Sequence, residues 1–215
     1  IKRSQEYGSY VMENILFKIS FPAEFHAQTA VEAGISLHEK YGDKLDKISS
    51  IEVETQEPAV RIISKTGPLY NYADRDHCLQ YMIAIALIYG KVEAKHYQDE
   101  IASNPIIDSL REKMVVSENP KFSRDYLDPS KRSIANSITL VFDDGSKSEK
   151  ITVDYPVGHR NRRQEGIPLL IEKFKDAIKS YYPNNQSEDI LNSFLDMENL
   201  SNISVNEMMD KLIIK

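Results

Sequence analysis

Three short stretches gather ionisable side chains into groups able to hold an anion or move a proton. In FKISFPAEFH, Lys18, Glu24 and His26 flank Pro22 just ahead of a helical pattern. Unpaired amides and the dipole at a helix N-terminus favour negative charge, so cations placed there suit an anionic ligand. The same residues would equally serve a surface strand and a helix cap. In NYADRDHC, the tetrad Asp74-Arg75-Asp76-His77 stands directly against the apolar run that begins at Cys78. An unpaired buried charge is too costly to keep, so these groups either pair or meet a ligand. Pairing predicts Asp74 or Asp76 as a helix cap with an Arg75 ion pair; the other solution turns Arg75 and His77 towards a ligand. In GHRNRRQEG, His159, Arg160, Arg162 and Arg163 follow the last strand-like segment. Such a basic loop suits solvent, a polycarboxylate or an acidic partner surface.

Other chemistries find little support. His26, His38, His77, His96 and His159 include no pair at a metal-binding spacing, and neither a glycine-rich phosphate loop nor a GxSxG elbow occurs. No metal site is therefore expected. The single cysteine, Cys78, rules out an internal disulfide, points to a reducing compartment and rules out a self-contained iron-sulfur cluster. A net charge of −6 provides no global field for nucleic acid or an anionic membrane. No apolar run reaches the roughly 18 to 20 residues that span a bilayer. With 41% hydrophobic and 28% charged residues over 215 positions, the chain reads as folded, with one or two domains. It begins without Met and shows no signal-peptide pattern, which reads as an interior segment of something longer.

The elements that would position these groups can be read from periodicity. Ala27, Ala30, Val31, Gly34, Leu37 and Tyr41 make one face of a helix from His26 to Tyr41, ended by Gly42-Asp43. Ile51, Val53 and Thr55 alternate with Glu52 and Glu54 as a half-solvated strand. A helix apolar on all sides is expected from about Asp74 to Gly90, with Gly90 as its C-cap. Asn104-Pro105 starts another helix reaching about Lys113, and MVVS reads as a short strand. Glu118 to Lys131, rich in charge and holding two prolines, reads as a loop. Ile138, Leu140 and Phe142, then Ile151, Val153 and Tyr155, alternate around the turn Asp143-Asp144-Gly145-Ser146 as a β-hairpin. Beyond Pro156 only helical patterns follow: a stripe from Ile167 to Tyr181, then Ser187 to Met197 and Val205 to Leu212. The fold class is α+β, a small domain of mainly antiparallel sheet with helices, followed by helices that need a partner layer.

The strings FKISFPAEFHAQTAVEAG, GPLYNYADRDHCLQYMIAIALIYG and DYPVGHRNRRQEGIP resemble the C-terminal part of the MmgE/PrpD family, over almost the whole chain from about Met12. The resemblance implies a small α+β (lid) domain at residues 15–157, with residues 1–14 ending a preceding helical domain or linker. It implies that residues 158–215 return as helices to that all-helical domain. It further implies a homodimer of the longer protein, with the active site in the cleft between domains. A reducing compartment fits Cys78, and with no transit peptide visible a bacterial cytoplasmic location is preferred to a mitochondrial one. The implied reaction is a metal-independent, cofactor-free dehydration of the tricarboxylate 2-methylcitrate to 2-methyl-cis-aconitate in propionate breakdown. A family activity on citrate or cis-aconitate, as hydratase or decarboxylase, and a non-catalytic anion-binding or oligomerisation module are the alternatives.

The family's main acid and base groups lie in the helical domain, so no catalytic residue is assigned within this chain. Lys18 and His26 fall in a segment that gives a related decarboxylase of the family a lysine and a histidine for its cleft. The offsets around Phe21-Pro22-Ala23 differ, and that histidine falls nearer Glu24 here. Lys18, His26, Arg75 and His77 are the expected substrate-binding residues.

Overall fold

A computed structural model describes residues 18–214. The expectation for residues 1–14, and Phe17 at the head of the first cationic stretch, lie outside the described residues. A single 3-10 turn, Phe25–Ala27, leads into α1 (Gln28–Tyr41), whose Ala30, Val31, Ala33 and Leu37 are buried. β1 (Ile48–Thr55) follows, with Ile51, Val53 and Thr55 buried and Glu52 exposed, as alternation requires. The chain then builds α2 (Glu57–Ile62), α3 (Tyr72–Asp76), α4 (Leu79–Tyr89), α5 (Asp99–Ala102) and α6 (Pro105–Glu112) before β2 (Met114–Glu118). After α7 (Pro120–Leu127) come β3 (Asn136–Phe142) and β4 (Ile151–Val153).

The strands form one sheet in the order β2-β1-β3-β4. β1 runs antiparallel to β3 (Val53 opposite Ile138), β3 antiparallel to β4 (Ile138 opposite Ile151), and β1 parallel to β2 (Val53 opposite Val116). A parallel pair needs a long crossover, which α2 to α6 supply. α1 packs on β3 and β4 and on α4, and α4 packs in turn on α6. Between these layers every residue from Leu79 to Leu87 is buried, which accounts for a helix without a polar face. Gly34 makes the α1–α4 contact possible, since a Cβ there would lie 2.9 Å from the Ala86 Cβ.

Three expectations need correction. The helix expected from Asp74 to Gly90 is broken at Cys78, which is extended at φ −119° and ψ 110°. The Leu79 amide there donates to the Ile63 carbonyl at 2.8 Å, a tertiary bond that replaces a helical one. The cap is also neither Asp74 nor Asp76: the Asn71 side chain accepts from the Asp74 amide at 3.0 Å. Gly90 does close α4, in the left-handed conformation at φ 63°. In the region read as a loop, Glu118 to Lys131, Asn119 accepts from the Lys121 amide at 3.0 Å and Pro120 opens α7. The Asp143–Ser146 turn forms, with the Phe142 amide donating to the Ser146 carbonyl at 2.9 Å.

The remaining chain is α8 (Arg163–Lys179), α9 (Asn184–Leu195), α10 (Met197–Asn202) and α11 (Val205–Lys211). Ile178, Ile190 and Leu191 form a small second core there with Phe174, Tyr182 and Leu212. Arg162 and Lys173 fasten it to the first: Arg162 forks onto both Glu32 oxygens at 2.8 Å, and Lys173 donates to the Lys18 carbonyl at 2.8 Å.

Candidate functional site

The turn before α1 is held from below. The buried Gln28 side chain donates to the Phe21 and Ala23 carbonyls at 3.1 and 2.7 Å, and Asn136 donates to the His26 carbonyl at 2.8 Å. Within this frame Glu24 caps the turn, one oxygen accepting the His26 amide at 2.7 Å while the other meets His26 Nδ1 at 2.9 Å. A carboxylate at Nδ1 keeps the proton on that nitrogen and turns Nε2 outward, where it lies 3.3 Å from the Tyr126 hydroxyl. Burial pushes the Glu24 carboxyl up, yet its bond to His26, the charges of His26 and His77 and the His26 amide together bring it below its ordinary value.

The Glu24 amide donates to the Asp76 carbonyl at 3.2 Å, and His77 Nδ1 sits 2.6 Å from Asp76 Oδ1. The first two cationic stretches are therefore adjacent. Tyr126, at the end of α7, brings in the third. Beyond it Asp128 closes a turn, its carbonyl accepting the Lys131 and Arg132 amides at 3.1 and 2.8 Å, and Arg132 adopts a left-handed φ of 48°. Arg160 Nη2 donates to the Ser130 carbonyl at 2.5 Å. His159 stacks on Tyr155 at 4.5 Å and accepts the Asn161 amide on Nδ1 at 3.2 Å. Burial lowers its pKa, the Arg160 and Arg163 charges add to that, and a hydrogen bond with the Arg132 backbone opposes it.

Around a cleft of about 380 Å³, Phe25, Leu127 and Ile134 give the apolar wall, and Tyr126, Arg132, His159 and Arg160 the polar one. Among the described residues no carboxylate lines it, so the cleft is electropositive there and suits an acid with several carboxylates. The chain Glu24–His26–Tyr126 ends on its wall and has the order of partners that relays a proton. A larger cleft of about 510 Å³, between Lys65–Pro68 and α6, mixes Lys65 and Arg111 with Asp108 and Glu112. Arg111 there already pairs with Asp108 at 2.5 Å.

Of the four expected binding residues, His26 and His77 come together through Glu24 and Asp76. Arg75 turns the other way: it is buried, donates to the Tyr97 carbonyl at 2.7 Å and pairs with Asp99 at 2.6 Å. The internal answer to the tetrad thus holds for Arg75. Lys18 is exposed, and no contact among the described residues joins it to the cleft. Arg162, inside the basic run, is occupied by Glu32, Glu165 and the Tyr155 carbonyl. Tyr126 and Arg132 are not among the expected residues: Tyr126 falls in the Glu118–Lys131 segment that reads as a loop, and Arg132 directly follows it. The Asn119-Pro120 start is the signal that would place Tyr126 at a helix end. No group of three or more His, Cys, Asp and Glu with metal-holding geometry occurs among the described residues, and no helix among them is long and apolar enough to cross a membrane.

Residues 21–199 match the model of the MmgE/PrpD C-terminal domain. The mitochondrial 2-methylcitrate dehydratase of Yarrowia lipolytica is 52% identical over 217 aligned residues, covering 100% of this chain and 41% of the relative. The 2-methylcitrate dehydratases of Escherichia coli and Salmonella typhimurium are each 51% identical over 211 residues, covering 97% of this chain and 44% of the relative. The chain thus spans less than half the length of these curated relatives.

Proposed function

The chain belongs to the MmgE/PrpD family, and from that premise we propose that it works as the C-terminal part of a 2-methylcitrate dehydratase. This hydro-lyase converts 2-methylcitrate to 2-methyl-cis-aconitate in the methylcitrate cycle of propionate breakdown. The observation that carries the reading is the 51% to 52% identity, sustained over essentially the whole chain, to relatives of that name. An electropositive cleft beside a carboxylate–imidazole–phenol chain supports it.

Elimination of water next to a carboxylate needs a base, an acid for the departing hydroxide, and cations to hold the carboxylates and the charge that develops. In this proposal the chain supplies one wall of the site. His26, bracketed by Glu24 and Tyr126, is the substrate-side imidazole, and His77 and Lys18 flank it at the rim. Arg75 serves the fold, tying α3 to the Ala94–Ala102 segment. Residues 15–157 act as the small domain, and 158–215 as helices that pack on a helical domain. Exposed Met197, Val205 and Met209 on those last helices, with Tyr181 in the turn after α8, support that division. A cytoplasmic homodimer completes the reading.

The test is turnover of 2-methylcitrate by the full-length enzyme containing this chain, followed by the absorbance of the new double bond. Conversion is expected, and His26→Ala should lower kcat on the order of 100-fold. Absence of conversion, or an undiminished kcat in the variant, would overturn the assignment of reaction or of His26 respectively.

A further inference from the structure

Arg132 is the one non-glycine residue with a positive φ among the described residues, at 48°. L-residues are strained in that conformation and glycine is not, so a turn needing only its backbone would favour glycine. A long cationic side chain stands there instead. Its guanidinium meets no carboxylate or carbonyl among the described residues, and it lines the electropositive cleft. The acidic groups of the adjoining turn are already engaged: Asp125 by Lys121 and Lys131 at 2.7 and 2.5 Å, Asp128 by the Ser130 amide and hydroxyl at 2.8 and 2.7 Å.

The backbone that carries Arg132 is fixed on both sides. Arg160 holds the Ser130 carbonyl, Ser133 Oγ donates to the Asp154 carbonyl at 2.9 Å, and Thr29 donates to the Ile134 carbonyl at 2.5 Å. A side chain presented from so braced a turn loses little further freedom on binding, which is how preorganisation raises affinity. In the same cleft, the Tyr126 hydroxyl is positioned through His26, and His159 is pinned by its stack on Tyr155.

We propose that Arg132 is a specificity-determining residue that seats one ionised carboxylate of a polycarboxylic acid in the cleft formed with Tyr126, His159 and Arg160. The inference deepens the dehydratase reading and takes from it only the identity of the acid. A planar guanidinium grips a carboxylate through two parallel hydrogen bonds, which lysine cannot reproduce.

The experiment is a titration of the chain with tricarballylate, a tricarboxylate with no hydroxyl to eliminate, read by the NMR signals of Tyr126 and His159. Arg132→Gly should weaken binding about tenfold or more, the scale of one charge-assisted contact, while its melting temperature stays level or rises. Arg132→Lys should lose several-fold. Acetate at equal concentration should leave the signals in place. The inference falls if Arg132→Gly binds within about twofold of the parent. It also falls if acetate shifts the signals as much as tricarballylate, or if tricarballylate moves neither signal. Should tricarballylate depend on Arg132 while the full-length enzyme fails to dehydrate 2-methylcitrate, the seat stands and the reaction assignment falls. With normal turnover and binding indifferent to Arg132, the reaction assignment stands and the seat falls.

Discussion

His96 and His159 are both held towards the neutral form by burial, against stacked tyrosines. His96 lies 4.8 Å from the Tyr89 ring and accepts the Glu93 amide on Nδ1 at 2.9 Å; His159 lies 4.5 Å from Tyr155 and accepts the Asn161 amide. Protonating either ring would convert Nδ1 from acceptor to donor and break that bond. Both folded-state pKa values lie below the ordinary histidine value of 6.5. In that window the unfolded chain binds more protons, so the stability these rings contribute is complete above about 6.5 and is lost as pH falls through the lower folded values. Glu24 acts in a separate, more acidic window: its lowered pKa contributes stability above its ordinary value of 4.5, lost only below that. The melting temperature should therefore hold near neutral pH and fall on acidification below about 6.5. Facing His159 are the Arg160 and Arg163 charges and the Arg132 backbone, so His159→Gln should flatten part of that fall. An unchanged slope in the variant would show that His159 is not a source of it.

At the scale of elements, α1 lies tightly against α4 at Gly34. A Cβ there would meet Ala86 Cβ at 2.9 Å, whereas at Gly67, with φ 82°, nothing lies within 4 Å. Gly34→Val should thus destabilise the chain by about 1–3 kcal/mol through overpacking, read as a lower urea midpoint; a midpoint equal to the parent's would mean that the helices separate freely. Elements of this kind are legible in the sequence wherever one local rule governs them. The stripe of α1, the alternation of β1 and the 143–146 turn each depend on neighbours a few positions away. The Asn-Pro start is more instructive. Asn104-Pro105 precedes an apolar stripe and announces α6, whereas Asn119-Pro120 sits among charges that mask the helix it opens. The break at Cys78 is harder still, because the bond from Leu79 to Ile63 is tertiary. The candidate site shares that difficulty. His26 and the basic run stand out by residue type, but the stretches meet through the Glu24 amide on the Asp76 carbonyl and the Arg160 side chain on the Ser130 carbonyl, bonds between positions far apart in the chain that no spacing encodes.

At the scale of the molecule, the buried residues divide unequally. The first core joins α1, α4, α6 and the sheet, while the second rests on Ile178, Ile190 and Leu191. Around that second core, α8, α10 and α11 expose Ile167, Leu169, Met197, Val205 and Met209, and the turn after α8 exposes Tyr181, more apolar surface than helices of a finished layer commonly leave to solvent. The cleft is similarly one-sided, with cations and a relay of proton partners on its wall. If this chain is the C-terminal part of a dehydratase, both features have one cause: a second layer covers the helices and supplies the remaining acid and base. The 215 residues alone should then bind a tricarboxylate weakly and convert none of it, because holding carboxylates without a base placed at the α-carbon leaves the barrier to proton removal nearly intact. Joined to the preceding part of the Escherichia coli relative, the same chain should gain turnover. The measurement is the dehydration assay run on both forms side by side. Turnover by the chain alone at the rate of the joined form would place the whole catalytic apparatus on this lobe and remove the need for a second wall.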